Sequence, residues 1–111
     1  MNEYSHALEQ YHGKINVEKL ITKSKSELNE LEDYYSERSG WQNHRTAVVG
    51  KKLRAMVHGR NIYNQTGFPY SLVVRVDGQY TDYATTYMEC KTDADALAAE
   101  FNVIRPIGLE A

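Results

Sequence analysis

The chain has 111 residues, of which 41% are apolar and 25% charged, and a net charge of −2. That length allows one domain with one modest core and excludes a two-domain enzyme built around an interdomain cleft. The single cysteine, Cys90, excludes an intramolecular disulfide and a cysteine-based zinc site. The first residues, MNEYSHALEQYHGK, lack the apolar core of an export signal. No apolar run approaches the ~20 residues of a membrane span. The expected setting is therefore the cytoplasm, or the host cytoplasm for a phage-encoded chain.

The small net charge hides a segregation. Residues 1–37 carry four Lys against eight Asp and Glu. Residues 38–60, RSGWQNHRTAVVGKKLRAMVHGR, carry six Lys and Arg and no acid. Residues 61–111 carry three basic groups against seven acids. Such blocks either neutralise one another inside the fold or leave a two-signed surface for a partner.

In chain order, residues 3–12 read as a short helix ending at Gly13, or as a mobile arm of a single domain spanning 1–111. From Asn16, a plausible N-cap, Val17, Ile21, Ser24, Leu28, Leu31 and Tyr35 recur at spacings of four and three, and Leu20 and Tyr34 widen the stripe. This predicts an amphipathic helix over about 16–38, stopped by Ser39–Gly40, whose seam could also serve a homodimer. A second helix is expected over 41–58, with Val49, Leu53, Met56 and Val57 on one side. Lys51, Arg54 and His58 would then share another face, flanked by Arg45 and Lys52. Gly50 would weaken that helix by roughly 1 kcal/mol relative to alanine.

The turn-rich RNIYNQTGFP marks a change of architecture. Asp77-Gly78 between the β-prone runs 70–76 and 79–90 predicts a hairpin. KTDADALAAEF predicts a helix over about 93–101, with Thr92 as N-cap and Ala94, Leu97, Ala98 and Phe101 on its apolar face. NVIRPIG predicts a short last strand, placed at an edge by Pro106. The expected fold is α+β, a helical hairpin packed on a small antiparallel sheet with a C-terminal helix.

Glu89-Cys90-Lys91 on a predicted strand, with Asp77 upstream, resembles the core of the PD-(D/E)xK nucleases over the last seventy residues. The resemblance implies a metal site of Asp77, Glu89 and Lys91 and a metal-dependent nuclease. The hairpin opposes it, because Asp77 lies at the turn and Glu89 runs beyond the far end of the first strand. At ~3.4 Å per residue no single metal bridges them. The hairpin and its T-x-x-x-A helix also resemble the sheet and helix of AP2-type and phage-integrase arm-binding domains, over about 35 residues. Those domains read DNA with a basic, aromatic sheet, whereas this hairpin sets Arg75 alone against Asp77, Asp82 and Glu89. No DNA-contacting residue carries over.

The four histidines lack metal-ligand spacing, VGKK lacks the upstream glycine of a phosphate-binding loop, and no serine or cysteine nucleophile motif is present. Neither enzymatic activity nor a cofactor is expected. Nine tyrosines stand beside one Trp and two Phe. Tyr63, Tyr70, Tyr80, Tyr83 and Tyr87 gather around the hairpin, where tyrosine offers contact area with a polar tip. Two readings follow. In one, the chain is a small binding protein whose partner is another protein, in the style of phage or mobile-element inhibitors of a host defence or nucleic-acid-handling protein. Its acidic helix side (Glu27, Glu30, Glu32, Asp33, Glu37) then imitates phosphate spacing. In the other, Arg45, Lys51, Lys52, Arg54, His58 and Arg60, with Tyr63, Tyr80, Tyr83 and Tyr87, hold a nucleic acid or small nucleotide.

Overall fold

The computed structural model describes residues 16–38, 40–59 and 67–110. The expectations for residues 1–13, Arg60 and Tyr63 lie outside them. Helix α1 spans Val17–Tyr35 and α2 spans Trp41–Val48. Three strands follow, β1 (Leu53–His58), β2 (Tyr70–Val76) and β3 (Ala84–Met88), and then α3 (Lys91–Ile104). The strands form an antiparallel sheet in the order β1-β2-β3. The fold is α+β, with an N-terminal helix pair and a C-terminal helix, as the sequence pattern predicts.

Helix α1 begins where expected: the Asn16 side chain accepts the Lys19 N–H at 2.9 Å. Its stripe faces the chain's own core. Leu20, Ser24 and Leu28 are sealed, and the Ser24 hydroxyl donates to the Leu20 carbonyl at 2.7 Å. The seam is thus occupied within the chain, leaving Tyr34 as its one exposed large apolar residue.

The second helix is shorter than predicted. It stops at Val48; Val49 is extended and Gly50 takes a left-handed φ of 74°. Glycine just past a helix end is the ordinary stop signal, because it alone adopts that conformation without cost. Residues 53–58 then form β1 rather than two further helical turns. Leu53, Ala55 and Val57 turn inwards while Arg54 and His58 are exposed. The four apolar residues that suggested a helix fit period two nearly as well as period 3.6, and pairing with β2 decides between them.

The predicted hairpin forms with a longer connection. Asp77-Gly78 makes the turn, with the Gln79 N–H on the Val76 carbonyl at 2.9 Å, yet pairing resumes only at Val74↔Ala84 and runs to Tyr70↔Met88. An Arg75–Asp82 ion pair of 2.6 Å folds the intervening residues back onto the sheet. Helix α3 starts and ends outside the predicted limits, with Cys90 as N-cap in place of Thr92. Ala94, Leu97, Ala98 and Phe101 are its buried face, as predicted. Its extension takes residues 102–104 from the expected last strand. What remains pairs through single bridges, Lys52↔Ile107 and Val49↔Leu109.

The core lies between one sheet face (Leu53, Ala55, Leu72, Val74, Val76, Ala84, Met88) and the helices (Val17, Leu20, Leu28, Val48, Ala94, Leu97, Phe101). The outer edge of β1 is closed by side chain and loop. Asn102 accepts the Ala55 N–H and donates to the Ala55 carbonyl, both at 2.8 Å, in place of a fourth strand. The Leu53 N–H meets the Pro106 carbonyl at 2.8 Å. Gly108 is held close, because a Cβ there would lie 2.6 Å from Leu28 and 2.9 Å from Leu53. At the opposite edge the Lys23 ammonium donates to the Thr85 carbonyl at 2.8 Å. Asn102→Ala leaves both Ala55 groups without those bonds, so a loss of about 2 kcal/mol is expected. A urea melt reads it, and an unchanged midpoint would show that the edge does not depend on Asn102.

Candidate functional site

The structure divides the basic segment 38–60 between two places. Its first half forms the α1–α2 corner. Arg38 lies 3.4 Å over the Tyr34 ring and donates to the Tyr34 carbonyl at 2.7 Å. Arg45 stands 6.0 Å from the Trp41 ring centroid and donates to the Glu110 backbone carbonyl at 3.3 Å. Trp41 sits between two shallow grooves. One, of about 470 Å³, is lined by Trp41, Gln42, Arg45, Thr46 and Val49. The other, of about 360 Å³, is lined by Ser36, Arg38, Gly40, Trp41, Gln42 and Asn43.

The second half lies on and before β1. Lys51, Lys52, Arg54 and His58 are all exposed. Helical spacing does not bring them together; strand alternation does so in part. Arg54 and His58 fall on the sheet face away from the core. Arg54 stands across from Arg75, and His58 across from Ser71. Thr85 and Tyr87 of β3 share that face.

The ion pairs decide whether the basic block is neutralised within the fold. Outside the segment, Lys23 pairs with Glu27, Arg75 with Asp82, Lys91 with Asp95 and Arg105 with Asp77. Within it, His44 alone among the described residues meets a carboxylate. Arg38 and Arg45 spend single donors on backbone carbonyls, and no ion pair holds Lys51, Lys52 or Arg54 among the described residues.

Among the described residues, the tyrosines of the hairpin are spread between surface and core. Tyr80 is 90% exposed at the loop tip, and Tyr87 is half-buried. Tyr83 is buried in the core, where it meets a group the sequence did not single out as a unit. Glu32 of α1 is buried, with a carboxylate oxygen 2.7 Å from His44 Nδ1. The approach lacks hydrogen-bond geometry, so neither Glu32 oxygen nor His44 Nδ1 counts as hydrogen-bonded. On its other side His44 Nε2 lies 3.5 Å from the Tyr83 hydroxyl, and the Tyr35 ring stacks on the imidazole at 4.5 Å. The cluster ties α1, α2 and the β2–β3 connection together. Nothing in the spacing of Glu32, His44 and Tyr83 announces it; the one clue is an acid at position 32 that continues the stripe of Leu20, Ser24 and Leu28 at spacing four.

Burial raises the Tyr83 phenol above its ordinary range, and the Glu32 carboxylate and Tyr35 add to the shift. Burial lowers the Lys23 ammonium, with Glu27 partly opposing.

Asp77 and Glu89 lie at opposite ends of β2: Asp77 follows Val76, and Glu89 follows Met88, the partner of Tyr70. Seven residues of strand, ~24 Å, part them. Asp77 is occupied by Arg105. No group of three His, Cys, Asp or Glu among the described residues could hold a metal ion. No helix among them is long and apolar enough to cross a membrane. The sequence matches no protein-family model, and neither a curated protein nor a solved structure is similar to it.

Two outcomes are expected here. Removing the imidazole with His44→Ala takes the close neighbour from the buried Glu32 side chain and should cost about 2 kcal/mol in a denaturant melt. A loss below about 1 kcal/mol would show that Glu32 reaches water or another cation. The unfolded phenol loses its proton first, near pH ~10, so the unfolded state then binds fewer protons than the folded one. The Tyr83 contribution is therefore intact below pH ~10 and fades as pH rises through the folded-state value. Lys23 acts oppositely: its folded ammonium titrates first, so its contribution improves as pH rises towards that of a free lysine. Tyr83→Phe should flatten the alkaline fall and leave the neutral-pH melt nearly unchanged. An alkaline arm identical in both proteins would remove Tyr83 from it.

Proposed function

We propose that the chain is a small non-catalytic binding protein that meets a polyanionic partner through Lys51, Lys52, Arg54 and His58. The observation that carries this reading is the pattern of ion pairs. Four cations outside the basic segment, Lys23, Arg75, Lys91 and Arg105, meet carboxylates of the chain, whereas Lys51, Lys52 and Arg54 meet none among the described residues. Arg54 stands across the sheet from Arg75, whose charge Asp82 already matches, so Arg54 is the cation left for an external anion on that face. Tyr87 on the same face offers a surface on which a base could stack. Nucleic acid is the polyanion that uses both features, and a localised site suits the acidic remainder of the chain better than a long duplex track.

A second reading rests on a separate observation. Glu30, Asp33 and Glu37 are exposed at spacings of three and four along and just past α1, with no ion pair of their own among the described residues. That row supports contact with the basic groove of a nucleic-acid-handling protein, as an inhibitor of the phage or mobile-element kind.

Fluorescence polarisation with short single-stranded and duplex probes at ~50 and ~200 mM salt separates the two readings. For the first, Lys52→Glu/Arg54→Glu should weaken binding about tenfold or more and lower the salt slope by about two. Stability should change by no more than ~0.5 kcal/mol, because both side chains are exposed. Saturable binding that survives the reversal would place the site elsewhere. Absence of binding at the lower salt would sink the nucleic-acid reading and leave the acidic row as the better-supported surface.

A further inference from the structure

The grooves beside Trp41 are separate from the β1 cations and have chemistry of their own. Two guanidiniums border them, and both are already held in place. Arg38 is pinned by the Tyr34 ring and carbonyl, and Arg45 by the Glu110 carbonyl beside the Trp41 ring. Each spends one of five N–H donors, so most of each fork remains for a ligand. A cation held by aromatic rings and backbone has little rotamer freedom left to lose on binding, which is the usual entropic charge against a surface arginine.

Between the guanidiniums lie groups that donate and accept: the Gln42 and Asn43 amides and the Ser36 and Thr46 hydroxyls. Val49 and the Trp41 ring supply the apolar patch. The α2 N-terminus opens into the second groove. Its N-cap is Gly40, which has no side chain to satisfy the first-turn N–H groups. No carboxylate is among the lining residues.

We propose that these grooves form one docking site for an acidic peptide segment of a partner protein, with carboxylates on Arg38 and Arg45 and one apolar side chain against Trp41 and Val49. Charge complementarity sets the acidic character, and the two guanidiniums give carboxylates a bidentate match. A peptide suits the site better than a nucleic acid strand, because the amides and hydroxyls pair with both N–H and C=O groups of an extended backbone. One face of the indole is moreover already overlooked by Arg45, which leaves less of it for a stacked base. Over the ~12 Å of the eight-residue α2, about four extended residues fit.

Trp41 is the sole tryptophan, so its fluorescence reads the site directly. The full chain is titrated with a synthetic hexapeptide of Asp and Glu carrying one leucine, with its Asn and Gln counterpart, and with a six-nucleotide oligothymidylate. The acidic peptide should give a saturable change, and the amide counterpart should bind about tenfold or more weakly. Arg38→Gln/Arg45→Gln should weaken the acidic peptide by a similar factor. Gln42→Glu, which leaves both arginines and their anchors in place, should do so by repulsion and guards against a variant that merely unfolds. Lys52→Glu/Arg54→Glu should leave the peptide response unchanged, so the groove stands or falls apart from the β1 site. An equal response to the amide peptide, no saturable response, or tighter binding of the oligonucleotide than of the acidic peptide would each overturn the proposal.

Discussion

The structure depends on β2 being buried on both of its faces. Leu72, Val74 and Val76 enter the helix-covered core, and on the opposite face Val73 is only 3% exposed and Ser71 is also buried. A strand apolar on both sides cannot be placed by alternation alone, so its neighbours must supply the register. They do. In β1, Leu53, Ala55 and Val57 face in while Arg54 and His58 face out; a slip of one residue would drive Arg54 into the core. In β3, Ala84, Thr86 and Met88 are buried in alternation with partly exposed Thr85 and Tyr87. The flanking strands are thus the register-bearing elements, and the central strand is the apolar template on which they are ordered.

The same constraint accounts for what sequence reasoning could and could not see. Helix α1 was legible because its stripe, its Asn16 cap and its polar remainder agree, and such agreement across levels is what marks a well-specified element. The buried face of α3 was legible for the same reason. The second half of the basic segment was not. LRAMVH satisfies both periods over six residues, and only pairing with YSLVVRV decides in favour of a strand. The informative residue was Gly50: read as a tolerated blemish inside a helix it costs stability, while read as the residue after a helix end it explains both the stop and the reversal. The misplaced boundary also scattered the predicted site. Lys51, Arg54 and His58 share a face in a helix, but in the fold Arg54 and His58 share a sheet face and Lys51 precedes the strand.

Moving Arg54 and His58 onto a strand also changes the charge of the sheet. The hairpin considered alone showed one arginine against three acids. The actual sheet has a third strand carrying Arg54 and His58, and Arg75 and Asp82 cancel each other. The trailing helix packs against that sheet. No solved structure matches the chain, so function must come from the site itself. What the site adds is a face where positive charge remains after internal pairs are subtracted.

Two buried or crowded electrostatic arrangements in this chain contrast instructively. Glu32 is taken out of water and set against His44, and the contact joins α1, α2 and the β2–β3 connection at their corner. The pair sits inside the fold and is accounted for by structure alone. Arg54 beside Arg75 does nothing comparable for the fold: it is exposed, lies across from a like charge, and could be replaced by a threonine or a glutamate with no loss of packing. A surface pair of opposite sign is worth little to stability, so a like-signed pair costs little too, and stability alone would not select it. Its place in a segment with six basic groups and no acid is what the proposed anion site rests on.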